Sequence, residues 1–268
     1  MLRFVEGRFN ISEIRFGLAD LLITRDEQND WKEAKEHYDY VLEHAPYGYL
    51  RAAAMIGKAE LAIRFSDKKD INHSIELAQR AYKQLLTLVG SSDFYTVKCS
   101  VVEAELRLKR NEKKDKAAAL KLFEKVIENT IADPYFRARA IVGHAELLLY
   151  EKRTDLNKEI QLCHDAIELL EDKPNDYFSI KARILQGEYI LRRMTHYDKS
   201  RATGIFMGII GNKNADKDLV ARAKLNLAEI SDNKKAINLV KEVLATKPLD
   251  NYLFNKAESL LKSLKSEK

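Results

Sequence analysis

Residues 49–63 read Tyr49-Leu50-Arg51-Ala52-Ala53-Ala54-Met55-Ile56-Gly57-Lys58-Ala59-Glu60-Leu61-Ala62-Ile63. Residues 135–149 read Tyr135-Phe136-Arg137-Ala138-Arg139-Ala140-Ile141-Val142-Gly143-His144-Ala145-Glu146-Leu147-Leu148-Leu149. Aromatic, Arg, Ala, Gly, Ala and Glu recur in register over fifteen positions, which marks an internal repeat. Working outward, a small residue, an acid and an apolar residue recur six times. The acids are Asp20, Glu60, Glu105, Glu146, Glu188 and Glu229, separated by 40, 45, 41, 42 and 41 residues. A second pattern follows each copy: Ala34, Tyr38, Val41, Leu42; Ala119, Phe123, Val126, Ile127; Ala202, Phe206, Ile209, Ile210; Ala236, Val240, Val243, Leu244. Spacings of four and three put these side chains on one helix face. Two copies use a variant, Ile75, Leu77, Ala78, Ala81 against Ile160, Leu162, Cys163, Ala166. Each unit is therefore predicted to be a helical hairpin that buries its apolar face only by stacking on its neighbours.

Composition agrees. The 268 residues are 46% hydrophobic and 32% charged, enough apolar material for a core. Only 10 Gly and 4 Pro are present, too few for the many turns of a strand-rich fold. Breakers fall where hairpins should join, at Pro46, Gly90, Pro134, Pro174 and Pro248, with Ser92 and Asp133 as expected caps. The fold class expected is all-α, with repeats at about 10–46, 47–90, 92–131, 133–173, 174–212 and 215–248 in one domain. Leu253, Ala257, Leu260, Leu261 and Leu264 predict a capping helix over 249–265. Phe4, Val5 and Phe9 suit an N-terminal cap or the end of a helix from a longer parent protein.

Ile56-Gly57-Lys58-Ala59 and Val142-Gly143-His144-Ala145 resemble the first-helix core of the tetratricopeptide repeat. Ala34, Tyr38, Val41 and Pro46, with Ala236, Val240, Val243 and Pro248, resemble its second helix. Two features differ: the family period is about 34 residues, and an acid stands where the family usually carries a first-helix aromatic. The resemblance implies a right-handed α–α superhelix of about six hairpins. First helices would line a concave groove that receives a peptide or partner helix. Applied by register, the groove residues are Arg51, Ala54, Lys58 and Leu61; Thr96, Cys99, Glu103 and Leu106; Arg137, Ala140, His144 and Leu147; Ser179, Ala182, Gln186 and Tyr189. Arg51, Lys58 and Arg137 would favour an acidic group. The family's carboxylate clamp needs an Asn that the matching positions lack.

No catalytic residue, cofactor or metal site is expected. The six acids lie one repeat apart, and they are expected to pair with arginines of adjacent helices, Arg51, Arg137 and Arg183 being the candidates. No His-Glu-x-x-His, Cys-x-x-Cys or Gly-rich phosphate loop occurs. Cys99 and Cys163 read as small buried thiols. The net charge of +5 is mild, and the basic stretch Arg107–Lys116 reads as a solvated connection, so nucleic acid is not expected. No apolar run reaches membrane-span length, and the cytoplasm is the expected compartment unless a signal or anchor precedes residue 1. The leading functional expectation is a non-catalytic protein–protein interaction scaffold. The alternatives are an accessory subunit of a larger assembly or envelope complex, docking by its convex face or ends, and an RNA-binding helical repeat. Oligomeric state is open.

Overall fold

The computed structural model describes residues 2–25, 29–65, 68–152, 155–246 and 251–266, with the side chains of 2–10, 64, 65, 68 and 69 left out. Among the described residues there are thirteen α-helices and no strand. They are α1 (Leu2–Arg25), α2 (Asp30–His44), α3 (Tyr49–Phe65), α4 (Lys68–Val89), α5 (Phe94–Arg110), α6 (Asp115–Glu128) and α7 (Pro134–Leu148). There follow α8 (Leu156–Leu169), α9 (Tyr177–Arg193), α10 (Asp198–Ile210), α11 (Lys217–Glu229), α12 (Asn233–Thr246) and α13 (Asn251–Ser266). The expectations placed on the Phe4, Val5 and Phe9 side chains and on Pro248 lie outside the described residues.

Local chemistry sets the helix ends. Asp93, Asp155, Asp176 and Asp216 precede α5, α8, α9 and α11, and each accepts from backbone N–H groups of the first turn. These bonds satisfy donors that a helix start leaves unpaired. Asp133 does the same for Tyr135 at 2.9 Å. Ser92, expected as a cap, instead donates to Asn129 at 3.3 Å, because Asp93 is one residue closer to the helix. Gly90 ends α4 with φ +90°, a left-handed conformation that favours glycine.

Three hairpin turns share a further device. Arg25, Arg110 and Arg193, at the ends of α1, α5 and α9, each grip an aspartate five residues later. Asp30, Asp115 and Asp198 are buried at the starts of α2, α6 and α10. The Arg110 guanidinium and the Glu112 N–H hold the Asp115 carboxyl down to about 2, against burial that works to raise it. These bidentate contacts fix where the second helix begins.

Contacts divide the chain into two compact units, Met1–Ala140 and Ile141–Lys268, with the division inside α7. In the first, each helix from α1 to α6 packs on its sequence neighbours, and α3 also packs on α1 and α5. In the second, helices from α8 to α13 do likewise, and α11 also packs on α9 and α13. The first helices of successive hairpins therefore form a layer within each unit, backed by the second helices. The small-residue pattern explains this stacking. Ala34, Ala119, Ala202 and Ala236 are fully buried, with Tyr38, Phe123, Phe206 and Val240 beside them on the same helix faces. A Cβ at Gly57 would overlap the Tyr38 ring, and one at Gly187 would lie 2.8 Å from Phe206. Glycine there permits the close crossing.

Candidate functional site

On the first-helix layer the recurring acids meet cations from later first helices. In the first unit, Glu60 of α3 pairs with Lys98 of α5 at 2.7 Å and with Arg139 of α7 at 2.6 Å. Arg139 also grips Glu105 of α5 through two bonds, 2.8 and 2.5 Å. Burial works to raise the Glu60 carboxyl, but the Lys98 ammonium and the Arg139 guanidinium outweigh it and hold it down to about 2. Asp20 of α1 instead accepts the hydroxyls of Tyr38 at 2.6 Å and Tyr95 at 3.3 Å. The Tyr95 ring stands edge-on to Phe16, Tyr49 and Phe94, which covers this end of the layer with aromatic carbon.

The second unit repeats the arrangement. Glu146 of α7 pairs with Lys181 of α9 at 2.6 Å and Arg222 of α11 at 2.8 Å. Arg222 grips Glu188 of α9 at 2.9 and 2.7 Å, and Asn226 donates to the same carboxylate. Glu229 pairs with Lys256 of α13 at 2.8 Å. Beside this ladder lies a cavity of about 340 Å³. Its apolar lining is Leu149, Leu219, Leu225 and Leu253, all buried. Tyr150, Tyr177 and Tyr252 also line it, with relative exposures of 75%, 43% and 63%.

Ten of the residues expected from register to line a groove are buried within the chain. Ala54, Leu61, Thr96, Cys99, Leu106 and Ala140 are buried, as are His144, Ser179, Ala182 and Tyr189. His144 faces Glu159 of α8 at 3.4 Å, and the Tyr189 hydroxyl donates to the Ala145 carbonyl at 2.6 Å. Lys58 pairs with Asp39 of α2, and Glu103 accepts from Gln79 of α4 and Arg107. Lys58, Glu103 and His144 thus contact second helices, while Leu147 and Gln186 are half-buried. The arginines expected to hold the acids do not do so. Arg51 donates to the Ala45 carbonyl and Arg183 to that of Pro174, and the Arg137 Nε is buried without a hydrogen-bond partner. Arg139 lies two residues, roughly 200°, around the helix from Arg137, which puts it on the face that carries Glu146. In the basic stretch, Arg107 and Arg110 are occupied by Glu103 and Asp115, so the stretch is tied rather than simply solvated.

A signal for the ladder was present in the sequence. Lys98, Arg139, Lys181 and Arg222 each stand seven residues before a repeated acid, two turns up the same helix face. Among the described residues no three of His, Cys, Asp and Glu gather as a metal site would require, and no described helix is long and apolar enough to cross a membrane.

Neither a protein-family model nor a curated protein matches the sequence. Among solved structures the chain is similar to the crystal structure of yeast Tom70, a helical protein of tetratricopeptide repeats. The TM-score is 0.55 at 17% identity, over 99% of this chain and 58% of that one. The chain thus spans less than two thirds of that structure's length, and the likeness establishes the fold alone: an all-α stack of helical hairpins like those of that structure.

Proposed function

We propose that the chain is a non-catalytic interaction scaffold whose first-helix layer receives a peptide or a helix of a partner protein. One observation carries this reading. On that layer the charged side chains are tied to one another, and three tyrosines with 43–75% of their surface exposed line a cavity in the second unit. Carboxylates held by cations on neighbouring helices are poor proton carriers, because their charged form is stabilised. Exposed tyrosine beside buried leucine is instead the composition of a contact surface, offering large area at low entropic cost. Arg51 and Arg137 stay in the proposal as contacts on the first unit by itself, whereas Lys58 already has an acid.

The test is affinity capture from native cells with the intact chain and with Tyr150→Ala/Tyr252→Ala. Loss of the captured partner in the double variant supports the first-helix layer. Retention moves the contact to the second helices or the ends, which is the accessory-subunit reading.

A further inference from the structure

We infer that the exposed face of α1 docks an amphipathic helix of a partner protein, one built like the second helices of this chain. Ile11, Ile14, Leu18 and Leu21 are 42–67% exposed. Spacings of three and four put them on one side of the helix, as a continuous apolar stripe. Repeat register says what such a face receives. With Asp20 aligned on Glu60, the same positions of α3 are Arg51, Ala54, Lys58 and Leu61. There α2 covers them. Arg51 donates to the Ala45 carbonyl, Lys58 pairs with Asp39, and Ala54 and Leu61 share a buried cluster with Ala34, Tyr38 and Val41. One repeat later, Cys99 and Leu106 of α5 share a buried cluster with Ala78 and Ala81 of α4, and Glu103 accepts from Gln79. In both repeats the second helix of the preceding hairpin fills this face, and on α1 the face is bare.

The filled faces define the guest. Gly57 lies so close under the Tyr38 ring that a Cβ would overlap it, whereas at Gly17, the matching position, nothing stands within 4 Å of where a Cβ would be. That space suits an aromatic side chain four residues after a small one, the spacing of Ala34 and Tyr38. Lys58 and Glu103 meet polar partners, Asp39 and Gln79, but Leu18 stands in their place. A carboxylate buried against leucine would be unpaired, so the guest carries an aliphatic residue just after its aromatic. This chain has no such helix to lend. Tyr38, Phe123, Phe206 and Val240 are buried in their own hairpins, together with the alanines four residues before them. A second copy therefore cannot supply the pattern, and the guest belongs to another protein. In contrast, α13 exposes Glu258, Lys262 and Lys265, the polar outer surface of a helix that closes a stack.

The experiment uses the full chain and fluorescein-labelled synthetic peptides of residues 29–46, the α2 sequence. One peptide carries Asp39→Leu, one keeps Asp39, and one joins Tyr38→Ala to Asp39→Leu. Fluorescence anisotropy should show the leucine peptide binding about ten-fold more tightly than either of the others. In the chain, Gly17→Phe fills the open space and should weaken the leucine peptide by about ten-fold or more. Leu18→Lys rebuilds the Lys58–Asp39 pair and should invert the order of the leucine and Asp39 peptides. Both changes fall on exposed positions, and circular dichroism checks that helix content is kept. A leucine peptide that fails to bind at about 100 μM overturns the helix dock, as does binding that neither variant alters. A wild-type dimer in sedimentation that Leu18→Lys dissociates also overturns it, and gives the face to a second copy. None of these results touches the first-helix layer, whose own test is capture by Tyr150→Ala/Tyr252→Ala.

Discussion

The two units carry the same ladder and finish it differently. In Met1–Ala140 the terminal acid, Asp20, is closed by two tyrosine hydroxyls, and the surrounding rings pack edge to face. In Ile141–Lys268 the terminal acid, Glu229, takes a lysine, and Tyr150, Tyr177 and Tyr252 line a cavity while 43–75% exposed. Repeated architecture thus separates two tasks. The Lys and Arg contacts hold successive hairpins together, and the aromatic residues decide whether the surface is closed or available.

The largest effect should come from the bridging arginines. Arg139→Ala takes the guanidinium from Glu105 and leaves Glu60 with Lys98 alone, and should cost on the order of 3–5 kcal/mol in urea unfolding. Arg222→Ala should cost less, because Glu146 is more open to water than Glu60, 40% against 20% exposed. Equal costs would remove the distinction between a closed and an open layer.

Acid should act next. Glu60 has its folded carboxyl depressed from 4.5 to about 2. The stability it contributes is fully present above about pH 4.5 and is lost as pH falls toward 2, on the order of 3 kcal/mol in all. Melting temperature followed from neutral pH downward should drop through that window, and Glu60→Gln should flatten this part of the profile. A wild-type profile unchanged between about pH 4.5 and 2 would contradict the ladder's role.

Backbone approach gives a smaller effect. Gly57→Ala should cost about 1–3 kcal/mol, since Tyr38 is tethered to Asp20 and cannot swing aside. Gly187→Ala meets Phe206, whose ring has no polar tether, and should be the milder change. Smallest of all, Tyr150→Ala should alter stability by no more than about 0.5 kcal/mol while weakening partner capture.

Much of the fold was legible because stacking demands small residues at fixed crossings. Ala34, Ala119, Ala202 and Ala236 recur for that reason, and all are buried as the pattern required. The acids were legible too, as charges that recur every 40 to 45 residues. Their partners were less legible, because the Tyr-x-Arg match draws the eye to Arg51 and Arg137. Two helical positions change the face, and Arg139 is the residue that reaches across. The burial of several groove candidates was not legible for a related reason. Register borrowed from a family with an aromatic at the acid's place sent Thr96, Ser179 and Tyr189 into the interior. The Arg25–Asp30, Arg110–Asp115 and Arg193–Asp198 clamps went unseen because a five-residue spacing is not a helical neighbour pair. Tyr150 sits just after α7 and falls outside every repeat pattern, so only the fold brings it to the cavity.

The central claim is that the ladder is a structural tie between hairpins. A double-mutant cycle on Arg139→Met and Glu105→Gln, followed by urea unfolding, tests it most directly. The predicted coupling is about 1.5–3 kcal/mol; a coupling below about 0.5 kcal/mol would contradict it.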